Sequence, residues 1–533
     1  MKKNVSSVNM VSINLPNNVE ELQKLVLNLQ EEIKSKDNEI KHKDDRINQL
    51  LARLFKQKQE GWSKEEKEHA LLFNEVEILL ELKDESSDDS TTEVKSHKRN
   101  KSGRTKIPDF IPRIVHEIDI DEKDKVCACG DCMVLIGKEA VEKLEITPPK
   151  FIAHRYVRLK YACHSCEGSG EEEKSAVRIV PAIPQLIPKA ILSFKSLAYI
   201  ITQKFCDALP LYRISGILER YGFPISRSTL SENLIKVYDK VKPVLDEILG
   251  SILSKKVIEI DETYFQVLME EDRSNTTKSF MWAFLSRQIN ARPEMYFYYQ
   301  PTRSAEFLTD WLAEYRGSII TDDWASYNTH FARMDNITHA GCNVHARRKF
   351  KEALGSSKKK KHEIGVYGLN VYKKIFKLEK SIQESTNNLD EIVKLRREKI
   401  LPIMEKMKEH LSGVYPKYTP KSPAAKAISY FLKNYDKLTK FLDNGEIPLH
   451  TNGVENTIRN FVVGRKNWLF SGSPRGAEAS AGLYTLVLNA KLCGLNPQEY
   501  LEALFYEIIH NPDYNSKEWT PQAFAMRKNQ ILV

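Results

Sequence analysis

The stretch Val257-Ile-Glu-Ile-Asp261 is a short apolar run that ends in an acid, and it decides how the second half of the chain is interpreted. Residues 279–286 and 294–299 are two further apolar runs, and residues 304–315 are typical of a helix. A fourth strand is predicted at Ser318-Ile-Ile-Thr-Asp322, again with an acid at its end. Three strands, a helix and a strand are the order of a ribonuclease-H-like sheet, in which the first and fourth strands are neighbours. The two terminal acids are therefore expected to lie side by side.

A third acid, Glu455, lies in a helical-looking segment after the turn signal Thr451-Asn-Gly453. Phosphodiester chemistry with two Mg²⁺ ions needs a small set of oxygen ligands that converge on the metals. Carboxylates from two adjacent strands and one later helix meet this need. We therefore predict that catalysis and magnesium binding depend on the same three residues: Asp261, Asp322 and Glu455.

Each of these acids also has an ordinary structural interpretation. Asp261 or Asp322 would serve equally well as a cap for the element that follows it. Glu455 is spaced to form a surface ion pair with Arg459 on a helix. A second acid follows each strand acid directly, which leaves the register open by one residue: Glu262 and Asp323.

Cations and an aromatic residue near these acids are typical of a surface that holds phosphates and stacks on bases. One group follows Glu455, and another lies where residues 338–350 predict a short strand feeding a basic helix. His345 in that helix is either a phosphate contact, a general acid or base, or a capping and packing histidine. The predicted DNA contacts in these two groups are His345, Arg347, Arg348, Lys349, Arg465, Lys466 and Trp468.

Two cysteine motifs, Cys127-Ala-Cys-Gly-Asp-Cys132 and Cys163-His-Ser-Cys166, predict a structural zinc site. The pairs Cys129/Cys132 and Cys163/Cys166 give four thiolates, and Cys127 is an alternative to Cys129. Four thiolates leave no open position, so the zinc is expected to be structural. Buried cysteines without a metal are the other interpretation.

Residues 17–55 predict one long helix with an apolar residue at every seventh position. β-Branched residues in the first column and leucines in the second favour a parallel two-stranded coiled coil, although two lysines interrupt the second column. A homodimer or higher assembly through this helix is therefore predicted; a single amphipathic helix packed on its own chain is the alternative. The two columns are Val19, Val26, Ile33, Ile40, Ile47 and Leu54, then Leu22, Leu29 and Leu50 with Lys36 and Lys43.

Between the cysteines and the first strand, residues 211–221 predict a helix, and a turn at Gly222 leads to Ser226 as the N-cap of the next helix. This is the shape of a helix-turn-helix, in which Arg227 would reach bases or phosphates. Two packed helices of a bundle would give the same pattern. The basic half of the linker at 83–112 would lie along phosphates or serve only as a solvated tether.

At 533 residues and 41% hydrophobic content, the chain is expected to form two to four domains. Its net charge of +9 is modest, no apolar run is long enough to span a membrane, and paired cysteines suit a reducing compartment. A cytoplasmic, multidomain α/β protein is predicted, with a helical insertion before Glu455. The expected segments are a zipper helix (1–82), a linker (83–112), a zinc domain (113–180), a helical DNA-binding segment (181–250), a first core part (251–351), the insertion (352–449) and a last core part (450–533).

These motifs together resemble a transposase of the insertion sequence sixty-six family, of the DDE class. The most specific matches are Asp261-Glu-Thr263, Thr321-Asp322 with Tyr327, Gly341-Cys-Asn-Val-His-Ala-Arg-Arg-Lys-Phe350 and Gly464-Arg-Lys-Asn-Trp-Leu-Phe-Ser-Gly472. The resemblance implies Asp261, Asp322 and Glu455 as the metal-binding triad. Departures are Asp323 where the family has glycine, Thr451-Asn452 and Glu455-Asn456 around the third acid, and a shifted cysteine motif.

The resemblance implies an enzyme that uses two Mg²⁺ ions, or Mn²⁺, to hydrolyse a strand at each element end. The freed 3′-hydroxyl then attacks target DNA without a covalent protein intermediate. Implied partners are the element ends, the target DNA and accessory proteins of the same element, in a bacterial, nucleoid-associated setting. Two rival functions stay open: a nuclease that cuts without joining, and an inactive dimeric zinc-containing DNA-binding regulator.

Overall fold

A computed structural model of the chain describes residues 151–162, 177–287, 292–355 and 362–531, together with residues 18, 23, 30, 36 and 115. Apart from Lys36, the heptad columns lie outside the described residues, as do the charged linker and all five cysteines of the predicted zinc site. Within the part of the chain that the structure describes, no helix is both long enough and apolar enough to cross a bilayer.

The centre of the described structure is a six-stranded sheet in the order β5-β4-β3-β6-β7, with β8 beside the far end of β3. Its strands are β3 (Val257–Val267), β4 (Lys278–Ser286), β5 (Glu294–Gln300), β6 (Gly317–Thr321), β7 (Ile337–Gly341) and β8 (Phe470–Ser471). A separate pair, β1 (Lys160–Ala162) and β2 (Val177–Ile179), is antiparallel. Because β3 pairs with β6 in parallel, the predicted contact between the first and fourth strands is confirmed.

The prediction that the first strand ends at Asp261 is wrong. β3 continues to Val267, because its antiparallel register with β4 extends to Gln266 opposite Lys278. The parallel pairing with β6 stops much earlier, at Glu259 opposite Ile320. Asp261 therefore lies inside a long strand, just beyond the point where one neighbour ends.

The predicted helix at 304–315 is also shorter than expected, since only α4 (Leu308–Trp311) is helical. Amide groups on both sides of it bond to carbonyls three residues back: Leu308 to Ala305, and Tyr315 to Leu312. Such bonds form tight turns instead of a continuous α-helix.

Within residues 177–256, three helices precede the sheet: α1 (Phe194–Phe205), α2 (Leu211–Arg220) and α3 (Arg227–Leu253). Ser226 caps α3 as predicted, because its hydroxyl accepts a hydrogen bond from the Thr229 amide at 3.1 Å. The buried face of α3 packs with α13 (Pro474–Leu492) against the sheet. Two further helices, α14 (Pro497–His510) and α15 (Pro521–Ile531), follow.

Apart from β7, the segment between β6 and Glu455 is mainly helical, and it contains the predicted helical insertion at 352–449. It comprises α5 (Ala325–Phe331), α6 (Asn343–Ala353), α7 (Glu363–Ser385), α8 (Leu389–Lys399), α9 (Leu401–Val414), α10 (Pro423–Lys433) and α11 (Tyr435–Leu438), before α12 (Asn452–Trp468). Helices α7–α11 pack with α6 around a second hydrophobic core. This insertion therefore has its own interior and does not rest on the sheet alone.

The edge strand β5 is covered by side chains of α13. Asn489 donates to the Met295 carbonyl at 2.7 Å and accepts from the Met295 amide at 3.1 Å. Thr485 accepts from the Phe297 amide at 2.9 Å. These fully buried side chains replace the hydrogen bonds that a neighbouring strand would make.

We expect Asn489→Leu to lower the free energy of unfolding by roughly 2–4 kcal/mol, because both backbone groups of Met295 then lose their buried partner. Urea denaturation followed by circular dichroism measures the change. Asn460→Leu on the exposed surface of α12 is the matched control, and a change within about 0.5 kcal/mol is expected there. Equal losses in the two variants would contradict the role assigned to Asn489.

Candidate active site

The parallel register of β3 and β6 brings the two strand acids together. Glu259 is opposite Ile320, and both strands run the same way, so a step of two residues along each leads to Asp261 and Asp322. The Glu262 amide donates to Asp261 Oδ1 at 2.9 Å, and the Trp324 amide donates to Asp322 Oδ1 at 3.0 Å. The predicted capping role of Asp322 is wrong, because the N-cap of α5 is Trp324; Asp322 instead uses one of its two oxygens to close a turn before that helix.

The third acid, Glu455, is in the first turn of α12. Its side chain is buried, and Oε1 accepts a hydrogen bond from the Thr451 hydroxyl at 3.2 Å. A carboxylate in the first turn is stabilised by the positive end of the helix dipole.

The charges of Asp322 and Glu455 both act on Asp261. Burial raises the pKa of Asp261 well above its usual value, and the negative charges of Glu262, Glu455 and Asp322 raise it further. Burial likewise raises the pKa of Asp322, although the Trp324 amide and the charge of Arg303 oppose this. Crowded, buried carboxylates of this kind are the donor set that a hard divalent cation stabilises. The chemistry of these residues therefore fits a site for a divalent cation.

The two neighbouring acids are bound by other parts of the protein. Glu262 is buried and holds Arg303 at 2.6 Å, and it accepts a hydrogen bond from the Tyr327 hydroxyl. These contacts join β3 to α5, so Glu262 has a structural role.

Asp323 joins the sheet to the insertion. It accepts hydrogen bonds from Asn328 and Asn434 at 2.7 Å each and from Lys437 at 3.1 Å. Burial acts to raise the pKa of Asp323, but these hydrogen bonds and the Lys437 charge hold it below its usual value. Of each acid pair, Glu262 and Asp323 are thus the members that form ion pairs with Arg303 and Lys437.

A cysteine that sequence reasoning did not single out lies beside the third acid. Ligand atoms of Cys342, His345 and Glu455 all lie within 4.8 Å of one another, with His345 Nδ1 at 3.9 Å from Glu455 Oε1. The Thr451 hydroxyl lies 3.2 Å from both Cys342 Sγ and Glu455 Oε1, so hydrogen bonding already joins them. Burial and the charge of Glu455 raise the pKa of Cys342 to about 12, which keeps the thiol neutral.

The residues predicted to contact DNA differ in their exposure and in their partners within the protein. Lys466 and Arg227 are exposed, whereas Lys349 is partly exposed and forms an ion pair with Glu352 at 3.5 Å. Arg348 is half-buried and close enough to Asp322 to lower its pKa. Arg347 is 8% exposed and lies on the buried side of α6.

The structure corrects the predictions for Arg465 and Trp468. Arg465 is buried, donates to the Thr263 hydroxyl at 3.1 Å and to the Tyr264 carbonyl, and stacks on the Tyr264 ring. Trp468 packs edge-on against Phe461, with ring centroids 5.4 Å apart. The spacing of positions 461, 465 and 468 places all three on one face of α12, which is the face that packs on β3. These side chains join helix and strand, so packing occupies them.

Two supporting residues were missed by sequence reasoning. Glu259 is 1% exposed and contacts the start of α12 as well as Arg287. Gly453 lies against it. The sequence did contain a signal for Glu259. It is an acid in the middle of an apolar strand, and a buried charge requires a partner.

Comparison with known proteins identifies the family of the chain. The family described as "Transposase IS66 family" matches residues 189–479, and the "zinc-finger binding domain of transposase IS66" matches residues 124–167, which span all five cysteines. Among similar proteins are two uncharacterized proteins of Sinorhizobium fredii (strain NBRC 101917 / NGR234). Protein y4jD is 28% identical over 418 residues, covering 76% of this chain and 78% of the relative. Protein y4qI is 29% identical over 398 residues, covering 73% and 71%. Since the first match covers more than half of the 533 residues, the chain belongs to the IS66 family of transposases.

Proposed function

We propose that the chain is a DDE transposase that cuts element ends and joins the freed 3′-hydroxyls to target DNA. The observation that carries this proposal is the parallel register that sets Asp261 beside Asp322, with the negative charge of Glu455, from a later helix, acting on Asp261. A sheet with three antiparallel strands followed by two parallel ones, and an acid from a later helix, supports a ribonuclease-H-like core. The nuclease without joining activity and the inactive regulator are the alternatives.

Two Mg²⁺ ions would be held by Asp261, Asp322 and Glu455; when bound, they supply activation of the attacking oxygen and stabilisation of the leaving one. The protein's own groups orient these ligands. Trp324 and Thr451 each bond one carboxylate oxygen. Four of the five cysteines in residues 127–166 would hold a structural Zn²⁺.

Exposed and partly exposed cations near the acids hold the DNA in this proposal. Arg348 lies beside Asp322, and Lys466 follows on the outer face of α12. Arg227 would contact DNA from the start of α3, and His345 would contact a phosphate or move a proton beside Glu455. The N-terminal heptads would join two chains, so that two element ends are processed together.

A cleavage and joining assay tests the proposal. The full chain is incubated with the DNA ends that flank its own gene, a target duplex and Mg²⁺. Nicks that leave 3′-hydroxyls, followed by joined products, are expected. Cut ends without joined product would instead establish the nuclease, and binding without cutting would establish the regulator.

A further inference from the structure

We propose that Glu259 is a positioning residue that fixes the helix bearing Glu455 against the strand bearing Asp261. It does so through Arg287 and the backbone amides of Gly453 and Val454, a group we call the Glu259 latch. This inference rests on the proposed function of the three acids. Glu259 itself contacts neither substrate nor metal in this proposal.

The contacts of the Glu259 carboxylate use both oxygens. Oε2 accepts from the Val454 amide at 2.9 Å, and the Gly453 amide also donates to the carboxylate. Oε1 accepts from Arg287 Nε at 2.8 Å and Nη2 at 2.7 Å. The Glu259 side chain is only 1% exposed, so its carboxylate is shielded from water. Charge-assisted hydrogen bonds of this kind are strong.

The latch supplies a helix cap that α12 lacks locally. Thr451 occupies the N-cap position but makes no side-chain cap bond, because its hydroxyl points to Cys342 and Glu455. The first amides of a helix need acceptors from elsewhere. Glu259 provides one from a strand 195 residues away in sequence.

Close approach at Gly453 makes the contact tight. A Cβ atom there would lie 2.7 Å from Leu285 Cδ2, 2.8 Å from Glu259 Oε2 and 3.0 Å from Arg287 Nε. Any larger residue would force these side chains to shift, and with them the Glu259 carboxylate. Glycine therefore suits the space at this position and is not needed for its backbone angles.

Spacing along the chain links the latch to the site. Side chains alternate along a strand, so Glu259 and Asp261 lie on the same face of β3. Glu455 follows Gly453 by two residues in the first turn of α12. Holding Gly453 and Val454 against Glu259 therefore fixes the separation of Asp261 and Glu455, on which a metal with strict octahedral geometry depends.

The test compares Glu259→Gln with Glu294→Gln in the full chain. Glu294 is also buried and bonded, to Ser251 at 2.7 Å and Lys255 at 3.6 Å, but it lies at the edge of the sheet on β5. Both variants should lose stability. Only Glu259→Gln should weaken Mg²⁺ binding, by roughly 10–100-fold, measured as the Mg²⁺ concentration that raises the melting temperature.

Cleavage provides the second readout. Glu259→Gln should cut slowly at low Mg²⁺ and recover at high Mg²⁺, whereas Glu294→Gln should follow the wild-type Mg²⁺ dependence. Gly453→Ala, which changes no charge, should shift the Mg²⁺ requirement in the same direction if Glu259→Gln fails to fold. A wild-type Mg²⁺ requirement in the latch variants would overturn the latch alone. A wild-type protein that neither cleaves nor responds to Mg²⁺ would overturn the proposed function and the latch with it.

Discussion

Asp261→Asn is expected to reduce Mg²⁺-dependent cleavage by more than about a hundredfold while DNA binding stays near the wild-type level. Groups that merely support a metal ligand cost 10–100-fold in affinity or activity when they are removed, so a ligand itself should cost more. Asparagine keeps the size of the side chain but removes the charge. It also relieves the repulsion from Glu455 and Asp322 that raises the pKa of Asp261, so the variant should fold at least as stably as the wild type.

Asp335→Asn is the matched control, because Asp335 is an exposed acid just before β7 and the charge change is the same. Initial rates of strand cleavage and binding by gel shift would be measured for both variants. Cleavage by Asp261→Asn at the rate of the control would show that the triad is assigned wrongly.

Arg396→Ala should destabilise the insertion by about 3–5 kcal/mol, the usual cost of removing one partner from a buried ion pair. Arg396 is fully buried and binds both oxygens of Glu379, at 2.6 and 3.0 Å. It also donates to the carbonyls of Phe441 and Asn444 at 2.6 and 3.0 Å. One side chain thus joins α7, α8 and the segment that returns to the sheet, and its loss leaves the Glu379 charge buried without that partner.

The next residue offers a control of the same type. Arg397 pairs with Asp443 at 2.7 Å, but both side chains are more than half exposed, so Arg397→Ala should cost no more than about 1 kcal/mol. Urea unfolding followed by tryptophan fluorescence and circular dichroism separates the two. Similar losses in both variants would mean that Arg396 does not hold the insertion together.

The order of the strands could be predicted from the sequence because each strand is a distinct apolar run. The meeting of Asp261 and Asp322 follows from that order. The length of β3 could not be predicted, since its second half is held by β4 and contains polar residues. The local sequence pattern does not show that a strand continues beside one neighbouring strand after its pairing with the other neighbouring strand has ended.

Site residues on α12 show a different limit. Glu455 was identified because one acid stood among cations, but Arg465 and Trp468 were placed on the wrong side of the helix. Their contacts with β3 lie about 200 residues away in sequence, and such packing cannot be read from charge alone. Glu259 was missed for the same reason, because its partners come from β4 and α12.

The hydrogen bonds from Asn489 and Thr485 to β5 limit how copies of this protein can associate. A bare edge strand is a template for the strand of a second molecule, and here the amides of Met295 and Phe297 are already occupied. A second copy of the protein therefore cannot extend this sheet by adding a strand to β5 at these two amides, and any pairing of two sheets would have to use the other edge, at β7.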